Sequence, residues 1–254
     1  MLLEYQTTKK AVFVTLTYND SNLPLSSFGC ATLFKRDVQL WLKRLRKYFS
    51  GTQIRYFLSG EYGPKTHRPH YHAILFGLSL DDLRPISVCN VNEMGQAAYQ
   101  CSVLDATWGN GFSSASSTSY ETFGYVSRYC LKKLRLKDYV IDGEMVYEPE
   151  FSLMSRKPGL GGYNVTNDFL DGINCTVSDG TDTKVFPLPS ALLRKLHDVD
   201  PQKYAELKDS RKRLANDRLQ MELDQTSLSF LDYLKQREDS LLARTTKIRH
   251  RKDL

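Results

Sequence analysis

The sequence predicts an α+β fold, one main domain followed by a charged helical appendage, and three observations predict it. Short runs at 11–17, 54–61 and 70–77 have the composition or the two-residue alternation of strands. Stretches at 35–49 and 121–135 repeat apolar residues at helical spacing. From about Phe186 the chain turns polar and crowded with charge, which sets the expected division into a main domain, 1–185, and a helical C-terminal region with a basic tail, 186–254. With 254 residues and 41% hydrophobic residues the chain can bury one ample core.

In chain order, Ala11-Val-Phe-Val-Thr-Leu-Thr17 is rich in β-branched and aromatic residues and reads as an inner strand, ended by the turn chemistry of Tyr18-Asn-Asp-Ser21. Thr15 and Thr17 share one face of it, either as phosphate contacts or as ordinary strand threonines. Between Lys35 and Phe49, Val38, Trp41, Leu42, Leu45, Tyr48 and Phe49 form a stripe that packs a helix on a sheet. Its outer face carries Lys43, Arg44, Arg46 and Lys47, a solvated face or a contact for a nucleic-acid backbone. Leu78 to Trp108 lacks a clear period and reads as a connection with short pieces of structure. Phe112 to Ser119 is rich in serine, and reads as a groove lining or a loop. Near the end, Gln202–Met221 and Thr226–Leu242 read as polar helices.

The densest chemistry lies in Gly60-Glu-Tyr-Gly-Pro-Lys-Thr-His-Arg-Pro-His-Tyr-His-Ala-Ile-Leu-Phe-Gly77, which holds three of the five histidines. After Pro69 the run alternates, so His70, His72, Ile74 and Phe76 share a face and two imidazoles point the same way. Ile54–Ser59 reads as a strand before it, with Gly63-Pro64 and Arg68-Pro69 marking the connection. A hairpin of that kind returns Glu61 towards His70 and His72. Two imidazoles and a carboxylate suit Mn²⁺ or Mg²⁺ in an open site better than a closed zinc site; two ordinary surface histidines are the alternative.

The segment Glu121–Arg135 fits a helix, and on it Tyr125 and Tyr129 lie one turn apart on one face. Each is followed three residues on by a cation, Arg128 and Lys132 respectively. A phenol with a pKa near ~10 is a weak nucleophile at neutral pH and needs a neighbouring cation or metal to favour the phenolate. A packed aromatic stripe beside solvated Arg128, Lys132, Lys133, Arg135 and Lys137 is the alternative.

Composition narrows the classes. No apolar run approaches the ~18 residues of a membrane span, and Met1-Leu-Leu-Glu4 does not open a signal peptide, so a soluble cytoplasmic protein is expected. Five widely spaced cysteines with no C-x-x-C pair argue against a disulfide framework. Residues 35–68 carry nine Lys/Arg against two acids, whereas 69–127 carry one against five, an uneven basic surface that suggests a polyanionic partner. The last eleven residues hold Arg244, Lys247, Arg249, Arg251 and Lys252 against Asp253. Neither a Walker-type loop nor another helicase signal is present in the sequence.

The strand Phe13-Val-Thr-Leu-Thr17, the strand His70-Tyr-His72 and the helix Tyr125-x-x-x-Tyr129 come in the order seen in HUH-superfamily endonucleases, the initiators of rolling-circle replication. The strings Gly60-Glu-Tyr-Gly63, Arg68-Pro-His-Tyr-His72, Leu75-Phe-Gly77, Gly124-Tyr-Val-Ser-Arg-Tyr-Cys-Leu-Lys-Lys133 and Arg156-Lys-Pro-Gly-Leu-Gly161 resemble the replication initiators of the Microviridae, especially the gokushovirus branch. The resemblance covers about residues 11–162.

It implies a central antiparallel sheet with the two-histidine strand in its middle and helices packed on it. It implies a divalent metal, Mg²⁺ or Mn²⁺, on Glu61, His70 and His72, and Tyr125 and Tyr129 as nucleophiles assisted by Lys132. Thr15, Thr17, Arg68, Arg128 and Lys133 are the candidate DNA contacts. The implied partners are single-stranded DNA and a replication origin, with a host helicase and DNA polymerase, in the host bacterial cytoplasm and without a membrane. The implied reaction nicks DNA through a 5′-phosphotyrosine link and rejoins strands into circles. An HUH transposase or relaxase, a non-catalytic origin-binding protein and a water-using phosphohydrolase are the competing readings.

Overall fold

The computed structural model describes residues 1–63, 66–91, 96–128, 140–141, 144–157, 159–161, 174–178 and 183–250. The chain forms two compact units, Met1–Gly161 and Gly162–Leu254.

The first unit contains helices α1 (Leu2–Thr8), α2 (Lys35–Tyr48), α3 (Ser102–Trp108) and α4 (Tyr120–Arg128). Its strands are β1 (Ala11–Thr17), β2 (Arg55–Tyr62), β3 (Pro69–Phe76), β4 (Pro85–Val91), β5 (Ala97–Cys101), β6 (Ser113–Ser117), the two-residue pieces β7 (Val140–Ile141) and β8 (Glu144–Met145), and β9 (Phe151–Met154). Seven of these form one antiparallel sheet in the order β4-β5-β6-β1-β3-β2-β9. The expected central antiparallel sheet is therefore present, with the two-histidine strand β3 in its interior between β1 and β2.

Strand alternation gives the sheet two unlike faces. Val12, Val14 and Leu16 of β1 and Tyr71, Ala73 and Leu75 of β3 face α2, whose Val38, Trp41, Leu42 and Leu45 complete the main core. Tyr71, between the two histidines, is fully buried here; its hydroxyl accepts the Phe34 N–H at 2.9 Å and meets the Tyr18 hydroxyl at 2.9 Å. The signature position thus carries an aromatic body for the core and a polar tip that ties the start of α2 to the sheet. The basic side of α2 lies behind the sheet, away from the histidines, and part of it is structural: Arg44 donates to the Thr107 and Trp108 carbonyls and Arg46 to that of Ile54.

On the opposite face, Ala11, Phe57, Ile74 and Phe76 pack with Phe123 and Val126 of α4 and with Met1, Leu2 and Tyr5 of α1. The two helices cover one end of this face and leave the other end, with His70 and His72, accessible. Helix α1 has no strong period of its own; it is fixed by a buried ion pair between Glu4 and Arg55. The Gly161 N–H donates to the same carboxylate at 2.6 Å, and Arg55 donates to the Gly159 carbonyl at 2.9 Å.

Two segments without a clear sequence reading become sheet. Leu78–Trp108 contains the hairpin β4–β5 and then α3, and the serine-rich run supplies β6, whose Ser113 and Ala115 are small enough to sit against the core. Among the described residues Cys30, Cys89 and Cys101 are free thiols.

The second unit contains the hairpin β10 (Asn174–Ser178) and β11 (Thr183–Pro187) and the helices α5 (Ser190–Val199), α6 (Pro201–Asp224) and α7 (Phe230–His250). Asp200 caps α6, its side chain accepting the Lys203 N–H at 2.9 Å, with Pro201 in the first turn, a sequence-encoded helix start. Helices α6 and α7 are the two expected polar helices; α5 buries Leu192, Leu193 and Leu196.

Removing one partner of the Glu4–Arg55 pair leaves an uncompensated buried charge. Glu4→Ala is expected to lower unfolding stability by about 3–5 kcal/mol in urea denaturation. A loss below ~1 kcal/mol would show that α1 is not anchored this way.

Candidate metal centre and tyrosine helix

The antiparallel registers of β1, β3 and β2 assemble the site. Thr17 and Glu61 lie opposite His70, and Thr15 and Ser59 lie opposite His72, so these side chains form two adjacent rows on one face. A slip of one residue would send every one of them to the core face. The turn from β2 to β3 closes through the Gly63 N–H to the Arg68 carbonyl at 3.0 Å and the His67 N–H to the Gly63 carbonyl at 2.9 Å. Gly60, beside Glu61, has no room for a side chain, since a Cβ would stand 3.0 Å from the Phe151 ring and 3.1 Å from Leu33.

Glu61 Oε1 lies 2.9 Å from His70 Nε2 and 3.0 Å from His72 Nε2, and one ligand atom from each of the three residues falls within 4.8 Å of the others. The outer ring nitrogens are occupied as well. His70 Nδ1–H donates to the Arg68 carbonyl at 3.1 Å, and His72 Nδ1 meets Thr15 Oγ1 at 3.1 Å. His70 therefore has an acceptor at both ring nitrogens, which a neutral imidazole cannot satisfy with one proton. Either the ring is an imidazolium or a cation lies between Nε2 and the carboxylate.

The electrostatics agree. Burial opposes the charge on Glu61, but the hydrogen bonds and charges of His70 and His72 outweigh it and hold the carboxyl down at about 2. Burial likewise opposes the charge on His70, and the bond to Glu61 overcomes it and raises the imidazole above its ordinary value. A cluster of one carboxylate and two imidazoles that draws positive charge, with its remaining nitrogens oriented by neighbours, fits a divalent cation.

Helix α4 brings Tyr125 to the same place. Phe123 and Val126 point into the apolar end of this face, and the Tyr125 ring stands edge-on to His72 at 6.1 Å and to Phe13 at 6.2 Å. Phe13 is stacked on His72 at 5.5 Å, a wall of the site that the strand composition gives no reason to single out.

The other candidates fall as follows. Thr15 is engaged with His72, Thr17 Oγ1 donates to the Phe112 carbonyl at 3.4 Å, and Arg68 grips the Tyr18 carbonyl at 2.7 Å and Asp20 at 2.8 Å. Helix α4 ends at Arg128, and the Arg128 side chain, Tyr129, Lys132 and Lys133 lie outside the described residues. Among the described residues, no helix is long and apolar enough to cross a membrane.

Comparison with known proteins follows the same residues. The family model for replication-associated protein ORF2 matches residues 11–134, which hold β1, the three clustered ligands and α4. The chain is 30% identical over 230 residues to replication-associated protein ORF2 of Spiroplasma virus 4, covering 87% of this chain and 69% of that protein. It is 31% identical over 130 residues to replication-associated protein VP4 of Bdellovibrio phage phiMH2K, 48% of this chain and 39% of that protein. With replication-associated protein ORF4 of Chlamydia phage 1 it shares 30% identity over 124 residues, 46% of this chain and 29% of that protein. No solved structure matches the chain.

Loss of the Thr15 hydroxyl removes the partner of His72 Nδ1 while keeping the side-chain shape. Thr15→Val is expected to weaken Mn²⁺ binding by about 10- to 100-fold in calorimetric titration, with thermal stability nearly unchanged. Unchanged affinity would show that this hydroxyl does not orient the ligand.

Proposed function

We propose that this chain, which belongs to the family of replication-associated protein ORF2, is an HUH-type endonuclease that starts rolling-circle replication by nicking DNA and later rejoins the strand ends. The observation that carries the proposal is Tyr125 edge-on to His72, beside a cluster that fits a divalent cation. That juxtaposition sets a nucleophile next to a place where a phosphate can be held.

The residues divide the work. Glu61, His70 and His72 would hold Mg²⁺ or Mn²⁺, which supplies Lewis acidity towards a phosphate oxygen when bound. Thr15 and the Arg68 carbonyl fix the two imidazole orientations, so that both Nε2 atoms face the same point. Tyr125 Oη attacks phosphorus; the new O–P bond forms as the P–O3′ bond breaks, the phenol loses its proton and the departing 3′ oxygen gains one. The products are a 5′-phosphotyrosine link and a free 3′-OH that a host polymerase extends.

The link retains the energy of the broken bond, so the reaction can run backwards without ATP. In this proposal Tyr129, one helical turn on, cuts the regenerated origin while the released 3′-OH attacks the first link, and one circle closes per round. Lys132 assists its preceding tyrosine as Arg128 assists Tyr125, and Thr17, Arg68 and Lys133 contact the DNA backbone. Strand separation belongs to a host helicase.

The roles are separable by mutation. His70→Ala and His72→Ala are each expected to reduce nicking of origin-bearing single-stranded DNA by at least about a hundredfold, in keeping with a metal worth several kcal/mol. Single-strand affinity should change little, and unchanged nicking would remove the metal assignment. The double variant Tyr125→Phe, Tyr129→Phe should be inert, with the single variants separating first cleavage from joining. Residual nicking by the double variant would place the nucleophile elsewhere.

A further inference from the structure

Phe112 is a large apolar side chain that is 71% exposed. A lone exposed phenylalanine needs no explanation, but this one has an informative position. The Phe112 N–H donates to the Thr17 carbonyl at 3.0 Å, and the Thr17 N–H donates to the Phe112 carbonyl at 2.9 Å. These are the reciprocal bonds of an antiparallel pair, one step beyond Ser113 opposite Leu16. Ser113 and Leu16 are buried on the core face, so alternation turns Phe112 and Thr17 to the other one. Thr17 is opposite His70, and His70 is opposite Glu61. Phe112, Thr17, His70 and Glu61 thus form one row across the sheet, with Phe112 two strand spacings, roughly 10 Å, from His70.

The backbone that presents this ring is held from several sides. Gly111 has φ +154°, and a Cβ there would stand 2.3 Å from Asn19 N and 2.5 Å from the Thr17 carbonyl oxygen. The Asn19 N–H donates to the Asn110 carbonyl at 3.0 Å, and Trp108 Nε1–H donates to the Thr17 carbonyl at 2.9 Å. Arg68, held on the next carbonyl, that of Tyr18, keeps its side chain 33% exposed at the same end of the sheet. An aromatic face on a fixed backbone beside a cation is the arrangement that binds unpaired nucleic acid.

We propose that Phe112 is a stacking platform for an unpaired base of the strand whose phosphate lies at Glu61, His70 and His72. This rests on the endonuclease reading above and adds to it the feature that fixes which phosphate reaches Tyr125. With one base held at the far end of the row, the strand cannot slide along the sheet. The scissile phosphate then lies roughly a nucleotide or two from the stacked base.

The test measures fluorescence anisotropy of a labelled oligothymidylate of about twenty nucleotides with the full chain and three variants. Phe112→Ala is expected to weaken binding by about five- to a hundredfold, the range seen when a base-stacking aromatic is removed. Phe112→Leu should stay weak because it lacks a π face, and Phe112→Trp should bind like the wild type. Equal affinities for Phe112→Leu and the wild type would overturn the platform, as would an unaffected Phe112→Ala. Nicking of origin-bearing DNA by the wild type reads the parent proposal separately. Nicking with no effect of the Phe112 variants on binding overturns the platform alone; no binding and no nicking by the wild type overturns both.

Discussion

One carboxylate oxygen shared between two imidazoles is the interaction on which the first unit depends for any chemistry. Three polar side chains are brought to one point of a mostly buried sheet, where unmet hydrogen bonds are costly. The cluster holds because strand registers place it and because the outer nitrogens of both rings have partners in Arg68 and Thr15. The arrangement draws positive charge, and the depressed Glu61 and raised His70 express that same demand.

The rest of the unit can be understood as support for this point. Behind the sheet, α2 and the buried Tyr71 hold β3 in place. In front, α1 and α4 share one apolar patch, and Tyr5 meets Phe123 at 5.6 Å. Since Glu4 ties α1 to Arg55 at the far end of β2, the anchoring of an N-terminal helix and the position of Tyr125 are mechanically connected. The same sheet therefore carries the ligands, their orienting groups and the bed for the nucleophile helix.

Much of this is legible in the sequence where the signal is local. The alternation of His70, Tyr71 and His72 encodes both the shared face of the imidazoles and a buried aromatic, and the turn residues after Tyr62 return Glu61 to them. Tyr125 is legible from helical spacing, and the family expected from these strings is the family found. Elements held by distant partners are not legible. Helix α1 has seven residues and depends on a buried Glu4 that looks like any surface acid in the sequence. Strand β6 is made of serine and alanine, which carry no apolar period, yet small side chains are what the space beside β1 admits. Thr15 reads as a phosphate contact from composition alone; only the cross-strand register reveals His72 as its neighbour. Phe112 carries no local signal, and its reciprocal bonds to Thr17 are what place it in the row of the ligands.

The central claim is that a tyrosine beside this cluster becomes covalently joined to DNA. The most direct measurement incubates the full chain with origin-bearing circular single-stranded DNA and Mn²⁺, digests the denatured product and maps the modified residue by mass spectrometry. The account predicts a metal-dependent 5′-phosphotyrosine on Tyr125 or Tyr129. Cleavage of the DNA with no protein adduct would contradict it and assign the cluster to activation of water instead.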